Sequence, residues 1–349
     1  EPVDTFTMLR PRNEPIQLQR SSADLPSRAG DNLFWMGRYI ERSENHARTL
    51  RTLISRVRQA DEVEFQCLLR LHRSNEIFGS KLPKKNRPTP RELENEIISL
   101  MVDTDRGGSL ASTLSEVTRV GNSVRERLSS DYTRLLGELA GSIKVEEYML
   151  FVEYSAVLTG CLELLSALSG MERENITRGH GWLLLNLGRR LERAMHSVRQ
   201  MREITKPLAE EELPLLEYVL EVADSSITYR TKYYTTLQPL AVLDVLLTDR
   251  LNPRSVAFQL RHIADVYEKL PRHSHEDLQE MKRAAAFVED LDLSRLELPP
   301  AGSGAVPDKN AIKLISWLAD MDKSLPRWSN QLSERYFSHA RTLPTAIGE

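Results

Sequence analysis

Apolar residues recur every three to four positions along most of the chain. Met36, Ile40, Ala47, Leu50, Ile54 and Val57 mark one face of a helix from about residue 31 to 58, with Asp31 as its cap. The same spacing predicts helices over about 62–78, 91–103, 109–129, 131–141, 144–169, 175–204, 211–235, 238–249, 253–270, 275–290 and 308–338. Gly170 suits the C-terminal cap of the 144–169 helix, which leaves Glu172 on a loop expected to be exposed. β-Branched residues never gather in alternating runs bounded by turns, so no strand is expected. The predicted fold is all-α, a bundle of about twelve helices.

Proline and glycine punctuate this pattern. Residues 1–30 carry Pro2, Pro11, Pro15 and Pro26 and read as an N-terminal arm or a junction to an upstream domain. A helical domain then covers 31–340, interrupted by a basic, proline-rich loop, Lys81–Pro90, and a linker, Leu298–Gly304. The start, Glu1-Pro2-Val3-Asp4, has neither the basic nor the apolar region of a secretion signal, and without a Met it reads as an excised piece. Tyr148–Leu168 is the most apolar stretch, but Glu153 and Glu163 interrupt it. A core helix is expected there, not a membrane span.

Hydrophobic residues make up 40% of the chain and charged residues 28%, which places it among globular proteins. A net charge of −3 gives no footprint for nucleic-acid binding. Cys67 and Cys161 sit in apolar surroundings and read as buried thiols in a reducing, cytoplasmic compartment. No Walker loop, GxGxxG or GxSxG occurs, and no His or Cys pair has zinc spacing. No metal and no cofactor is therefore expected, and the purified chain is expected to bind no ATP. His273-Ser274-His275-Glu276 reads as a solvated loop, and Gly107-Gly108 as a simple turn.

The strongest signal is an internal repeat. Leu33–Arg51 aligns without gaps on Leu184–Arg202, at the 151-residue separation of Gly37 and Gly188. Seven of nineteen positions are identical, among them Gly37/Gly188, Arg38/Arg189, Glu41/Glu192 and Arg42/Arg193. A second match, Leu100–Ala111 over Leu246–Ala257, pairs Asp103 with Asp249 and Ser109 with Ser255. Two matches in the same order argue for two similar halves, about 31–140 and 180–290. Such halves would pair about a pseudo-two-fold axis with the motifs facing a shared interior.

On a helix, Arg38, Glu41, Arg42, Asn45 and Arg48 form one stripe, and Arg189, Glu192, Arg193, His196 and Arg199 its counterpart. An isolated stripe of this kind reads as a solvated face. A solvated face does not demand particular charges, however, whereas a buried network does. The repeat therefore favours a partly buried Arg–Glu network and leaves open whether it only locks the helices or also holds a ligand. Downstream, Asp249–Ser255 offers Asn252 as an N-cap, Pro253 as a first helical residue and Arg254 beside free N–H groups that could hold a carboxylate or phosphate. Tyr229, Arg230, Tyr233 and Tyr234 form an aromatic–basic patch, at a spacing equally typical of core.

Gly37–Asn45, Gly188–Ala194 and Asp249–Gln259 together resemble the alpha-E family, bacterial helical proteins with a recurring Glu-Arg motif. The resemblance runs from about Leu25 to Phe337. Asp105–Ser109 departs from the Asn-Pro-x-Ser helix start that the family carries. The resemblance implies association in cis or in trans with a circularly permuted ATP-grasp protein, and a role in amide-bond formation or peptide modification. It also implies a peptide or amino-acid substrate, and that the chain is the C-terminal part of a longer fusion. Three functions follow as expectations: an accessory module beside the ligase, an enzyme with its own buried Arg/Glu/Asp site, or a structural scaffold. The sequence leaves substrate, catalysis and oligomeric state open.

Overall fold

The computed structural model describes residues 25–74, 81–82, 88–144, 149–209, 213–234, 236–299 and 306–337. Among these the fold is all-α, with thirteen α-helices and no strand. In order they are α1 (Ser27–Arg56), α2 (Glu62–Ser74), α3 (Pro90–Val102), α4 (Leu110–Asn122), α5 (Ser130–Ala140), α6 (Tyr154–Asn175), α7 (His180–Ile204), α8 (Pro214–Val222), α9 (Ser226–Tyr233), α10 (Pro239–Leu243), α11 (Val256–Glu268), α12 (His275–Glu289) and α13 (Lys309–Phe337). Most of the expected arm, the middle of the basic loop and all but the first two residues of the Leu298–Gly304 linker lie outside the described residues.

Several boundaries differ from expectation for local reasons. Helix α1 starts at Ser27, directly after Pro26 in extended geometry, so Asp31 lies inside it and caps nothing. Gly170 also lies inside a helix, because α6 continues to Asn175 and stops only where Ile176 turns extended. The expected 211–235 helix is two: Asp224 adopts φ 52° and breaks it, and Tyr234, at φ 49°, ends the second piece. Helix α10 widens into a π turn over Asp244–Thr248.

Helices α1 and α7 form the centre. Helix α1 packs along α7, α4 and α6, and α7 packs along α11 and α13. Both are buried on most sides, as a central helix must be. They cross where Gly37 meets Gly188. A Cβ on Gly37 would fall far inside contact distance of the Leu185 carbonyl oxygen and 3.1 Å from the Arg189 nitrogen; one on Gly188 would strike the Phe34 carbonyl oxygen and lie 3.2 Å from Arg38 Cγ. The approach is reciprocal, backbone against backbone, and only glycine leaves room for it.

The second sequence match is also a matching local geometry. Ser109 Oγ donates to the Asp103 carbonyl (2.6 Å) and accepts from the Ser112 N–H, capping α4. Ser255 Oγ donates to the Asp249 carbonyl and accepts from the Phe258 N–H (3.1 Å), capping α11. Asn252 is therefore not the cap: its Oδ1 accepts from the Arg254 N–H (3.0 Å) and its Nδ2 donates to the Val245 carbonyl (2.9 Å), bracing the turn that precedes the helix.

Phe151–Asn175 is the one described segment long and apolar enough to cross a membrane by length and composition. In the fold it packs along α1 and α5, with Leu158, Cys161, Leu165 and Leu168 buried.

Candidate functional site

Just past the glycine crossing, each central helix receives the other's arginines. Arg38 Nε donates to Glu192 Oε2 (2.7 Å), and Arg42 closes a two-pronged contact on Glu192 at 2.6 and 3.1 Å. Reciprocally, Arg193 grips Glu41 through two bonds of 2.5 and 2.7 Å, with Arg189 Nε 3.5 Å away. Both carboxylates are buried, Glu41 at 2% exposure and Glu192 at 0%. The arginines reach across the interface, not along their own helix, because the crossing aligns each guanidinium fork with a facing carboxylate. Burial alone would raise the Glu192 carboxyl, but Arg38 and Arg42 outweigh it and hold it well below the usual range.

The Glu41 clamp extends further. Arg254 Nη2 bonds Glu44 Oε1 (2.6 Å), and Arg193 lies 3.7 Å from Glu44. Burial would raise Glu44 too, yet Arg254, Arg193, Arg189 and Arg48 together lower it. Arg189 Nη1 also donates to Glu172 Oε2 (2.7 Å), whose other oxygen accepts from Tyr132 (2.8 Å). At Glu172 burial wins over Arg189 and the carboxyl is raised.

Beside this cluster opens a cleft of about 700 Å³, walled by α6, α7 and α11, with Glu44 and Arg48 of α1 in its floor. Arg190 stands on the α7 wall. Its guanidinium lies over the Phe258 ring (5.3 Å) and meets Gln259 Oε1 (3.3 Å), and no described carboxylate pairs with it. Burial, reinforced by Arg193 and Arg189, pulls its proton affinity down to about 9. His262 stacks on the same ring (4.0 Å). The Phe258 carbonyl accepts from His262 Nδ1 (3.0 Å), which leaves Nε2 as the acceptor of a neutral imidazole. Burial lowers this histidine's pKa and favours that form. One turn on, half-buried Asp265 lines the α11 wall with no ion-pair partner among the described residues.

A family model described as a predicted alpha-helical domain with a conserved ER motif, alpha-E, matches residues 25–337. The chain belongs to the alpha-E family. An uncharacterized protein of Mycobacterium bovis and two of Mycobacterium tuberculosis are each 28% identical over 266 residues. That match covers 70% of this chain but 30% of each relative, so the chain spans under a third of their length. No solved structure matches.

In this alpha-E chain, Arg38, Glu41, Arg42, Arg189, Glu192, Arg193 and Arg254 come together at the helix crossing in two clamps, one on Glu192 and one on Glu41. Asn45 lines a small cavity beside Glu41 and Arg193. Tyr229, Arg230, Asp249 and Asn252 stand apart. Tyr229 is buried and donates to the Thr236 carbonyl (3.0 Å), Arg230 is exposed, and Asp249 Oδ1 accepts the Leu251 N–H inside its own turn. Glu172, expected on an exposed loop, is instead buried on α6 at 3% exposure, because the helix does not stop at Gly170. Glu44, Glu172, Arg190, His262 and Asp265 were not foreseen. For Arg190 the alignment carried the signal: it occupies the place of Tyr39 in the first motif.

Proposed function

We propose that this alpha-E chain is an accessory, substrate-holding module of a circularly permuted ATP-grasp ligase, in cis or in trans, acting in amide-bond formation or peptide modification. In this reading the ligase handles ATP, and the arginine-walled cleft holds the carboxylate or phosphate end of the peptide or amino-acid substrate. The observation that carries it is Arg190. A half-buried guanidinium without a carboxylate is unfavourable in a purely structural scaffold, and an anionic ligand supplies the missing charge. The ligase association rests on the family resemblance. Cys67 and Cys161 are buried and form no disulfide, which supports a cytoplasmic setting.

One observation favours a second reading, in which the cleft does chemistry of its own. His262 offers a neutral Nε2 to the cleft, positioned to take a proton from a bound amine. Affinity capture of the tagged chain from its native cells, followed by mass spectrometry, tests the leading reading. The expected result is recovery of an ATP-grasp protein whose substrate-dependent ADP release rises with added alpha-E chain and falls again with Arg190→Gln. Capture without such a ligase, or ADP release indifferent to the alpha-E chain, overturns it.

A further inference from the structure

The two walls of the cleft carry opposite, uncompensated charges. On α7, Arg190 has amide partners and an aromatic ring but no carboxylate among the described residues. On α11, Asp265 is half-buried and has neither an ion pair nor a side-chain hydrogen bond among the described residues. The two face one space and do not pair with each other. Every buried carboxylate of the neighbouring cluster, by contrast, is matched: Glu41 by Arg193, Glu44 by Arg254 and Glu172 by Arg189. In a fold that matches its buried charges so closely, an open cation and an open anion lining one cleft mark the two ends of something absent.

We propose that the cleft binds an acidic amino acid or short acidic peptide with a free amino group, its carboxylate on Arg190 and its ammonium on Asp265. The inference rests on the substrate-holding reading above and narrows it to a zwitterion. Arg190 presents a planar fork backed by the Phe258 ring, the geometry that suits a carboxylate. Asp265 accepts the ammonium hydrogens, with His262 Nε2 one helical turn away as a further acceptor. The same Asp265 disfavours a nucleotide or a bare phosphate, whose charge it would repel. At the rim, exposed Arg173 and Lys269 line the cleft without ion-pair partners among the described residues and leave it with an excess of positive charge. A neutral amino acid would leave that excess unused, whereas a second carboxylate would meet it. A volume of about 700 Å³ has room for more than one residue, which favours a peptide over a free amino acid.

Calorimetry on the full chain tests this with edited ligands, so that wild-type protein alone already gives an answer. The dipeptide Glu-Glu is expected to bind saturably. N-acetylation, or amidation of its C-terminal carboxyl alone, should each weaken binding about tenfold or more, the worth of a charged hydrogen bond. In Asp265→Asn, N-acetylation should cost nothing further; in Arg190→Gln, amidation should cost nothing further. That exchange of sensitivities follows from direct contact and not from a structural role of either residue. Equal binding of Glu-Glu and its N-acetyl form overturns the zwitterion. Saturable binding of inorganic phosphate or ATP without binding of Glu-Glu also overturns it, while leaving an anion-holding module intact. Binding of Glu-Glu by a chain that no ATP-grasp ligase accompanies would keep the zwitterion and remove the ligase.

Discussion

The two Glu-Arg clamps are built from the same residues at the same helix crossing, yet they end differently. At Glu192 the cluster is sealed. Arg38 reaches Ser329 of α13, Trp35 and Tyr39 lie against Arg38 and Arg42, and the carboxylate has no exposure. At Glu41 the cluster recruits Arg254, Glu44 and Glu172 and then opens into the cleft. The change turns on one pair of equivalent positions, Tyr39 in the first motif and Arg190 in the second. Tyr39 stacks on Trp35, while Arg190 stands on the cleft wall. What the repeat keeps fastens the helices together; where it departs, a charge is left facing solvent.

The largest test of this contrast attacks what both clamps share. Gly37→Leu and Gly188→Leu should each abolish the folded state, because the added side chain meets backbone that cannot yield. Circular dichroism and size-exclusion chromatography check it, and a cooperative native-like melt in either variant would show that the crossing is looser than drawn.

Separating the clamps is the next test. Glu192→Gln leaves Arg38 and Arg42 buried without their charge partner and should cost about 3–5 kcal/mol in urea melts. Glu41→Gln should cost roughly half that, since Arg189 and Arg193 keep Glu172 and Glu44 as partners. Equal losses would erase the difference between a sealed end and an open one.

Acid should act on the two ends with opposite sign. Glu192 is held low, so its contribution is complete above the ordinary carboxylate pKa and fades as pH falls through its folded value. Glu172 is raised, so the native state holds its proton longer and this site gains relative stability as pH falls towards it. Between them, His46 and His196 are lowered, chiefly by burial. The unfolded chain then binds protons that the native one refuses, so stability should fall as pH drops below about 6.5, by at most about 1.4 kcal/mol per pH unit for each histidine. Melts from pH 7 to 5 should show this decline, and His196→Gln should make it shallower; an unchanged slope would count against a neutral buried pair.

At the small end, Arg190→Gln should leave stability within about 1 kcal/mol of wild type or raise it, because a desolvated cation is removed without stranding a carboxylate. A loss of several kcal/mol would show that Arg190 serves the fold and not a ligand. Arg230→Ala, on exposed α9, should change stability by less than about 0.5 kcal/mol.

Much of this was legible because the structure repeats a motif. Glu41, Glu192 and their arginines stood out because two distant segments kept the same charges, and buried charge is the physical reason to keep them. The glycines stood out for the same reason, but that they touch backbone to backbone could not be read from spacing. Asn252 was mistaken for a cap because its side chain does bond a nearby N–H, only within a turn three residues before the true cap, Ser255. Glu172 was misplaced because Gly170 mimics a helix end, while packing against α1 and α5 carries α6 past it. Arg190, His262 and Asp265 belong to two helices about seventy residues apart and share no pattern until the fold brings them together.

The reciprocal clamp also sets a timetable for the growing chain. Its bonds join residues 154, 150 and 152 positions apart. At about 5–20 residues per second, α1 waits roughly 10–30 seconds after its own synthesis before α7 is made. Throughout that interval Glu41 has no Arg193, and the apolar face of Met36, Ile40 and Leu50 has only part of its eventual cover. A chain halted before α7 is therefore a sticky, charge-frustrated fragment of six helices, α1 to α6, and a client for chaperones. Contacts this remote in sequence close slowly, and the helix that begins the core is among the last to be secured within it.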